Sequence, residues 1–257
     1  MFYMDKKTVE KNFSKCAEFY DRYANIQRLT ASRLIGLTPD AGVKNILEIG
    51  CGTGNYTAML KEKFKAARIK TVDISKEMVG VARLKAEVSG VEFLVADAEK
   101  MDLNDNFDLV TSNVSFQWFE NMELSIERYK GALSEGGVIA FSTFGPLTFL
   151  VLGKVLREVT GEVAGIDSSS FLDKDKLEAL LKRYFRESVV EGFTVKETYP
   201  SLKDLLIKIK YTGARGNGLR NTLLWKKDML KKAQELYETI FGAIEASYQL
   251  FFCKGLK

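Results

Sequence analysis

Gly50, Gly52 and Gly54 stand two residues apart at the end of the apolar run Asn45-Ile46-Leu47-Glu48-Ile49. That run has the length of one buried parallel strand. Glycines in this spacing take positive φ readily and leave bare backbone for a ligand to approach. Tyr56-Thr57-Ala58-Met59-Leu60 continues with helical character, so the glycines mark a strand-to-helix junction. A helix N-terminus there would turn unpaired N–H groups towards a ligand. The next apolar run, Ile69-Lys70-Thr71-Val72, ends on Asp73. A carboxylate in that place suits a ribose diol, because it can accept both hydroxyl hydrogens.

The alternation continues along the chain. Residues 6–37 read as helical, and Thr38-Pro39-Asp40-Ala41-Gly42 breaks the pattern. Further strands are expected at Val91–Ala96, Phe107–Asn113, Val138–Thr143, Glu187–Val195 and Ala246–Cys253, the last antiparallel. Helices are expected between them, among them one from Glu77 capped by Ser75, one over Asp173–Tyr184, and two over about 201–211 and 226–241. This order predicts an α/β fold, a mostly parallel sheet with helices on both faces. The expected organisation is one domain over 1–257, with a helical lid at 1–37 and a basic helical insert at about 199–241.

Ligands of an open α/β sheet sit beyond the carboxyl ends of its strands. The residues just after each strand therefore form one candidate site. They are Glu48, Gly50, Cys51, Gly52 and Gly54 from strand one, and Asp73 after strand two, with Ile74 and Met78 to pack on an adenine. Asp97 and Ala98 follow strand three, where the carboxylate could accept from an adenine amino group; Asn113 ends strand four. Singly, each has a plain alternative: Asp73 a helix cap, Asp97 a solvated turn, Met78 core. Their order after successive strands points to a bound nucleoside.

Leu47–Gly54 resembles the first motif of the class I S-adenosylmethionine-dependent methyltransferases, (Asp/Glu)-x-Gly-x-Gly-x-Gly. A dinucleotide enzyme would carry Gly-x-Gly-x-x-Gly, but position 55 is Asn, and no P-loop Lys-Ser/Thr follows. The resemblance implies a Rossmann-like seven-stranded sheet of order 3-2-1-4-5-7-6, with S-adenosylmethionine as cofactor and no metal. Phe13-Ser14-Lys15-Cys16-Ala17-Glu18-Phe19-Tyr20-Asp21 and Gln27-Arg28-Leu29 are similar to the N-terminus of the malonyl-acyl-carrier-protein O-methyltransferases of biotin synthesis. Ser112–Trp118, Phe141–Pro146, Phe171-Leu172-Asp173, Tyr199-Pro200-Ser201 and Lys210–Ala214 agree. Trans-aconitate methyltransferases share the segment after strand four, so a small-molecule carboxylate methyltransferase is the alternative. A cofactor- or RNA-binding module without catalysis is a more distant one. The family implies that Tyr20, Trp118 and Phe171 position the substrate, with Phe144 as a further aromatic wall. It implies that Tyr20 and Arg28 also reach the cofactor, Arg28 through the methionine carboxylate.

The chain has no histidine, which removes every His-based triad, metal site and general base. Methylation of a carboxylate fits that absence, because a carboxyl group with a pKa of about 4 is already ionised at neutral pH. Cys16, Cys51 and Cys253 are scattered and odd in number, without metal or disulfide spacing. The N-terminus has no apolar core of signal-peptide length, and Val138–Leu156 is interrupted by Gly145, Pro146, Gly153 and Lys154. A cytoplasmic protein with no membrane partner is expected. The net charge of +4 is uneven: residues 201–232 hold nine basic and two acidic residues. That segment reads either as a solvated face or as a dock for an acidic carrier protein. Nucleic acid is not expected, since the overall charge is low and aromatic-basic interleaving is missing.

Overall fold

The computed structural model describes residues 5–161, 168–213 and 227–257. At its centre β1 (Asn45–Ile49) pairs in parallel with β2 (Arg68–Asp73) on one side and β4 (Phe107–Asn113) on the other. β3 (Glu92–Val95) lies outside β2, and β5 (Leu133–Phe144) lies beyond β4. β7 (Ile244–Leu256) runs antiparallel to both β5 and β6 (Glu187–Tyr199). The order is therefore 3-2-1-4-5-7-6, as the resemblance implies. The chain moves outward from β1 to β3 and then returns to β4. Connections leave the sheet in opposite directions at β1 and β4, so a crevice opens beyond their carboxyl ends.

Ten helices are described: α1 (Lys6–Cys16), α2 (Tyr20–Tyr23), α3 (Asn25–Leu34), α4 (Asn55–Lys63), α5 (Lys76–Arg83), α6 (Met122–Ala132), α7 (Leu150–Thr160), α8 (Lys174–Tyr184), α9 (Leu202–Tyr211) and α10 (Lys227–Phe241). Side-chain alternation along β1 sends neighbouring residues to opposite faces. Ile46 joins a core with Leu34 of α3, Leu60 of α4, Leu156 of α7 and Tyr237 of α10. Leu47 and Ile49 belong to the other core, with Ile126 and Tyr129 of α6 and Leu177 and Leu181 of α8. Side-chain caps fix several helix starts: Asp5 for α1, Ser75 for α5, Asn121 for α6, Asp173 for α8 and Ser201 for α9.

Three elements depart from the sequence reading. The single helical stretch 6–37 is broken after Cys16 and again at Ala24, whose ψ of 40° lies outside the helix region. The first break lets α2 turn so that Asp21 meets the glycine loop. α7 was not expected, because glycines and Pro146 hide the helical spacing of Leu152, Val155 and Leu156. β5, β6 and β7 outrun their apolar cores; β6 and β7 stay paired from Glu187–Leu256 to Tyr199–Ile244, with cross-strand hydrogen bonds continuing through polar residues.

Candidate active site

A cleft of about 680 Å³ opens at the ends of β1 to β4, beneath α1 and α2. Its floor is the glycine loop. Gly50 leaves β1 with φ +73°, and a Cβ there would fall 1.9 Å from Ser115 Oγ. Gly54 begins α4 with φ +83°, its missing Cβ 3.0 Å from that of Ala82. Gly52, at φ +53°, has nothing within 4 Å of that position, so bare backbone faces open space. Four amides of this loop are engaged within the protein. Gly50 N and Cys51 N donate to Val72 O (2.7 and 3.2 Å), Gly52 N to Asp73 Oδ2 (2.8 Å), and Gly54 N to Cys51 O (2.9 Å).

Asp73 lines the cleft and takes both Gly52 N and Ser75 N (2.9 Å). Burial raises its pKa above the usual carboxylate range, against the pull of the Ser75, Gly52 and Ile74 amides. Asp97 lines the next sector with Ala96 and Ala98. Its Oδ1 accepts from Lys6 Nζ (2.8 Å) and Glu99 N (3.1 Å). Burial pushes this carboxyl up, but the Lys6 ammonium and the Glu99 amide outweigh it and hold the group below its usual range.

Asn113 reaches the cleft wall, but both ends of its amide are engaged. Nδ2 donates to Gln27 O (2.9 Å), and Oδ1 accepts from Ser142 Oγ (2.8 Å). Its neighbour Val114 has φ +47°, a strained conformation for a β-branched residue. Val114 N is held by Ser142 O (3.0 Å) and Ser142 Oγ (3.1 Å), and its carbonyl by Gln117 Nε2 (2.5 Å). The strain aims Ser115 into the cleft beside Gly50.

α1 and α2 supply Lys6, Val9, Phe13 and Tyr20. Ring centroids run from Tyr20 to Phe13 (6.3 Å), to Trp118 (5.9 Å) and on to Phe171 (6.1 Å). Burial, reinforced by Cys16, Asp73 and Asp21, raises the Tyr20 pKa far above a phenol's usual value, so it stays protonated. Asp21 ties α2 to the loop through Thr53 Oγ1 (2.5 Å), Asn55 Nδ2 (2.8 Å) and Lys85 Nζ (3.0 Å).

Of the residues expected in the site, Tyr20, Gly50, Gly52, Asp73, Ile74, Asp97, Ala98, Asn113 and Trp118 line the cleft. The others stand behind it. Phe171 touches it through Trp118, and Met78 is buried against Cys16 and Ala17 of the lid. Cys51 and Gly54 hold the loop from within. Arg28 is elsewhere: its guanidinium donates to Asp21 O (2.5 Å) and to Asn25 Oδ1, bracing the turn between α2 and α3. The sequence reading missed Lys6, Phe13, Ser115 and Phe119. Ser115 and Phe119 adjoin the strand-four segment, but nothing local distinguishes Lys6 or Phe13.

Glu48 is fully buried beneath the loop, facing Thr57 and Thr71. Its Oε2 and both threonine hydroxyls find no hydrogen-bond partner among the described residues. Burial pushes its pKa up to about 7. Between the unfolded value of about 4.3 and this folded one, the folded state holds the extra proton. Stability should therefore fall as pH rises through that window and level off above it, by about 4 kcal/mol in total. Glu48→Gln removes the titration. Melting curves from pH 5 to 8 should show wild type losing ground to the variant; parallel pH profiles would refute it.

The sheet order, the loop and the acids after β2 and β3 define a class of protein, the Rossmann-like methyltransferases. A methyltransferase domain model matches residues 47–141. The fold is similar to that of the YcgJ protein from Bacillus subtilis (TM-score 0.61, 17% identity, 89% of this chain and 98% of that one). It is also similar to a phosphoethanolamine N-methyltransferase from Haemonchus contortus (TM-score 0.58, 19% identity, 94% of this chain and 57% of that one). Malonyl-acyl-carrier-protein O-methyltransferase 2 of Ilyobacter polytropus is 34% identical over 98% of this chain and 93% of its own length. Its counterpart in Acetivibrio thermocellus is 32% identical over 99% and 95%. The chain belongs to the malonyl-acyl-carrier-protein O-methyltransferase family.

Proposed function

We propose that this protein transfers a methyl group from S-adenosylmethionine to the free carboxylate of malonyl-acyl-carrier protein. By family resemblance the resulting methyl ester serves the pimeloyl branch of biotin synthesis. The observation that carries the reading is one cleft with acids after β2 and β3, bare Gly52 backbone between them and a row of aromatic rings along its lid. Adenosine fits this donor set: Asp73 for the ribose hydroxyls, Asp97 for the adenine amino group, and Ile74 and Ala98 for the flat ring faces. S-adenosylmethionine supplies, when bound, a methyl group activated by the sulfonium charge. The chain aligns the incoming carboxylate and strips water from it, which lowers the barrier without a base. Phe13, Tyr20 and Trp118 are placed to do this. The buried cysteines, without disulfides, suit a reducing cytoplasm, and no described helix is long and apolar enough to cross a membrane.

The test is labelled cofactor offered with malonyl-carrier protein, malonyl-CoA and trans-aconitate side by side. The carrier-bound malonyl group should be methylated fastest. Transfer to aconitate alone would replace this reading with the small-molecule one, and RNA binding without any transfer would point to a non-catalytic module.

The basic segment supports a carrier dock, with one change. Lys208 is buried and paired with Glu197, so it is withdrawn from the surface. Lys203, Lys231 and Lys232 are exposed, while Arg215, Arg220 and Lys226 lie outside the described residues. Complementary charge acts mainly on association and weakens with salt. Reversing Lys203, Lys231 and Lys232 to Glu should lower kcat/KM for malonyl-carrier protein roughly tenfold at low salt. It should leave a short malonyl thioester nearly unchanged. An unchanged ratio between the two substrates would show that this face is only solvated.

A further inference from the structure

Lys6 opens α1, and a cation in the first turn of a helix is disfavoured by the helix dipole. Two carboxylates from another part of the chain compensate it: Asp97 Oδ1 at 2.8 Å and Glu99 Oε2 at 2.6 Å. The three side chains are only 14%, 18% and 10% exposed, so the pairs are screened little. The ammonium also lies 4.9 Å from the centre of the Phe119 ring. The two acids differ in what else they do. Glu99 is fixed to the protein, its carboxylate accepting from Glu120 N, Asn121 N and Ser125 Oγ at 2.9, 2.9 and 3.3 Å. Asp97 lines the cleft, and Lys6 and Glu99 N occupy only its Oδ1. Among the described residues its Oδ2 has only the exposed Lys100 ammonium, 3.7 Å away.

We propose that Lys6 is a positioning residue, clamping Asp97 against the fixed Glu99 so that Oδ2 is presented to the exocyclic amino group of the cofactor's adenine. This rests on the cofactor reading above. A lone aspartate after β3 could rotate between several donors; held at Oδ1, it keeps one free oxygen for one donor. The clamp comes from the lid and the acceptor from the sheet, so adenine recognition is complete only when α1 is seated. Lid closure and base selection are thereby one event.

The test is calorimetric binding of S-adenosylhomocysteine and of its 6-oxo analogue, S-inosylhomocysteine, to the full-length protein. The analogue replaces the donor amino group with a carbonyl acceptor. Wild type should prefer the adenosyl ligand strongly. In Lys6→Gln the ratio of the two dissociation constants should shrink about tenfold or more, the scale of one hydrogen bond to a charged group, while Lys6→Arg keeps most of it. In an Asp97→Asn background, Lys6→Gln should change the ratio little further, since both act on one contact. Melting temperatures confirm that each variant is folded. Equal weakening of both ligands by Lys6→Gln would make Lys6 a structural latch and overturn the inference, with the cofactor reading intact. Failure of wild type to bind either ligand would overturn both.

Discussion

Asp73→Ala is expected to weaken S-adenosylhomocysteine binding by about a hundredfold or more, because it removes two kinds of contact. The first is to the ligand. A carboxylate at the end of β2 is placed for the ribose hydroxyls, and each hydrogen bond to a charged group is worth about 1.5–3 kcal/mol. The second is internal. Asp73 holds the glycine loop through Gly52 N at 2.8 Å and the start of α5 through Ser75 N at 2.9 Å. Alanine leaves both amides unpaired, and the bare backbone at Gly52 loses the tether that fixes its position. Ser75→Ala is the control. It removes the α5 cap, whose Oγ accepts from Met78 N at 3.1 Å, and keeps Asp73. It should cost about 1 kcal/mol of stability with little loss of affinity. Calorimetry and melting on the two variants decide the matter. A folded Asp73→Ala protein of unchanged affinity would remove Asp73 from the ribose role and from loop support together.

The parts of this site that the sequence reveals are those whose chemistry is local. Gly50–Gly54 directly follow a strand, Asp73 ends the next and Asp97 stands two residues past a third, so position along the chain already gives position on the sheet. The strand order was readable only through the family resemblance, since nothing in the periodicity of β5 or β7 says which strand lies beside which. The contacts of the N-terminal helices were the hidden part. Lys6 meets Asp97 across 91 positions of sequence, and Phe13 reaches Trp118 only because α1 folds back over the cleft. Sequence spacing around Phe13 says helix and nothing about what its ring meets. Arg28 failed for a related reason. The family resemblance implies it as a ligand for a carboxylate, but the bend at Ala24 brings the Asp21 carbonyl and Asn25 within its reach first. Asn113 was legible as a wall residue, yet its commitment to Gln27 and Ser142 depends on α3 and β5 both arriving beside β4. The loop amides show the same limit: a glycine motif announces a turn, but only the fold shows that Val72, Asp73 and Cys51 engage the amides of Gly50, Cys51, Gly52 and Gly54.

The lid's largest effect on turnover should come from Tyr20. Its ring lies between α1 and the acids of the cleft, at the head of the aromatic row that ends on Phe171. Its phenol is held protonated, so it cannot serve as a base and acts by shape and by the hydrogen bonds of its neutral hydroxyl. A carboxylate nucleophile is strongly hydrated, and a gap left by alanine would admit water beside it. Misplacement of a reacting group by about 1 Å can itself cost about a hundredfold in rate. Tyr20→Ala is therefore expected to lower kcat on malonyl-carrier protein about a hundredfold, with a smaller change in S-adenosylhomocysteine affinity. Tyr20→Phe separates the two contributions. It keeps the wall and loses the donor, so a kcat near wild type assigns the effect to water exclusion, and a kcat near that of Tyr20→Ala assigns it to the hydroxyl. Single-turnover rates with saturating cofactor make the measurement, because they exclude product release. Full activity in Tyr20→Ala would mean that Phe13 and Trp118 close the cleft without it, and that Asp21, not Tyr20, is the reason α2 lies where it does.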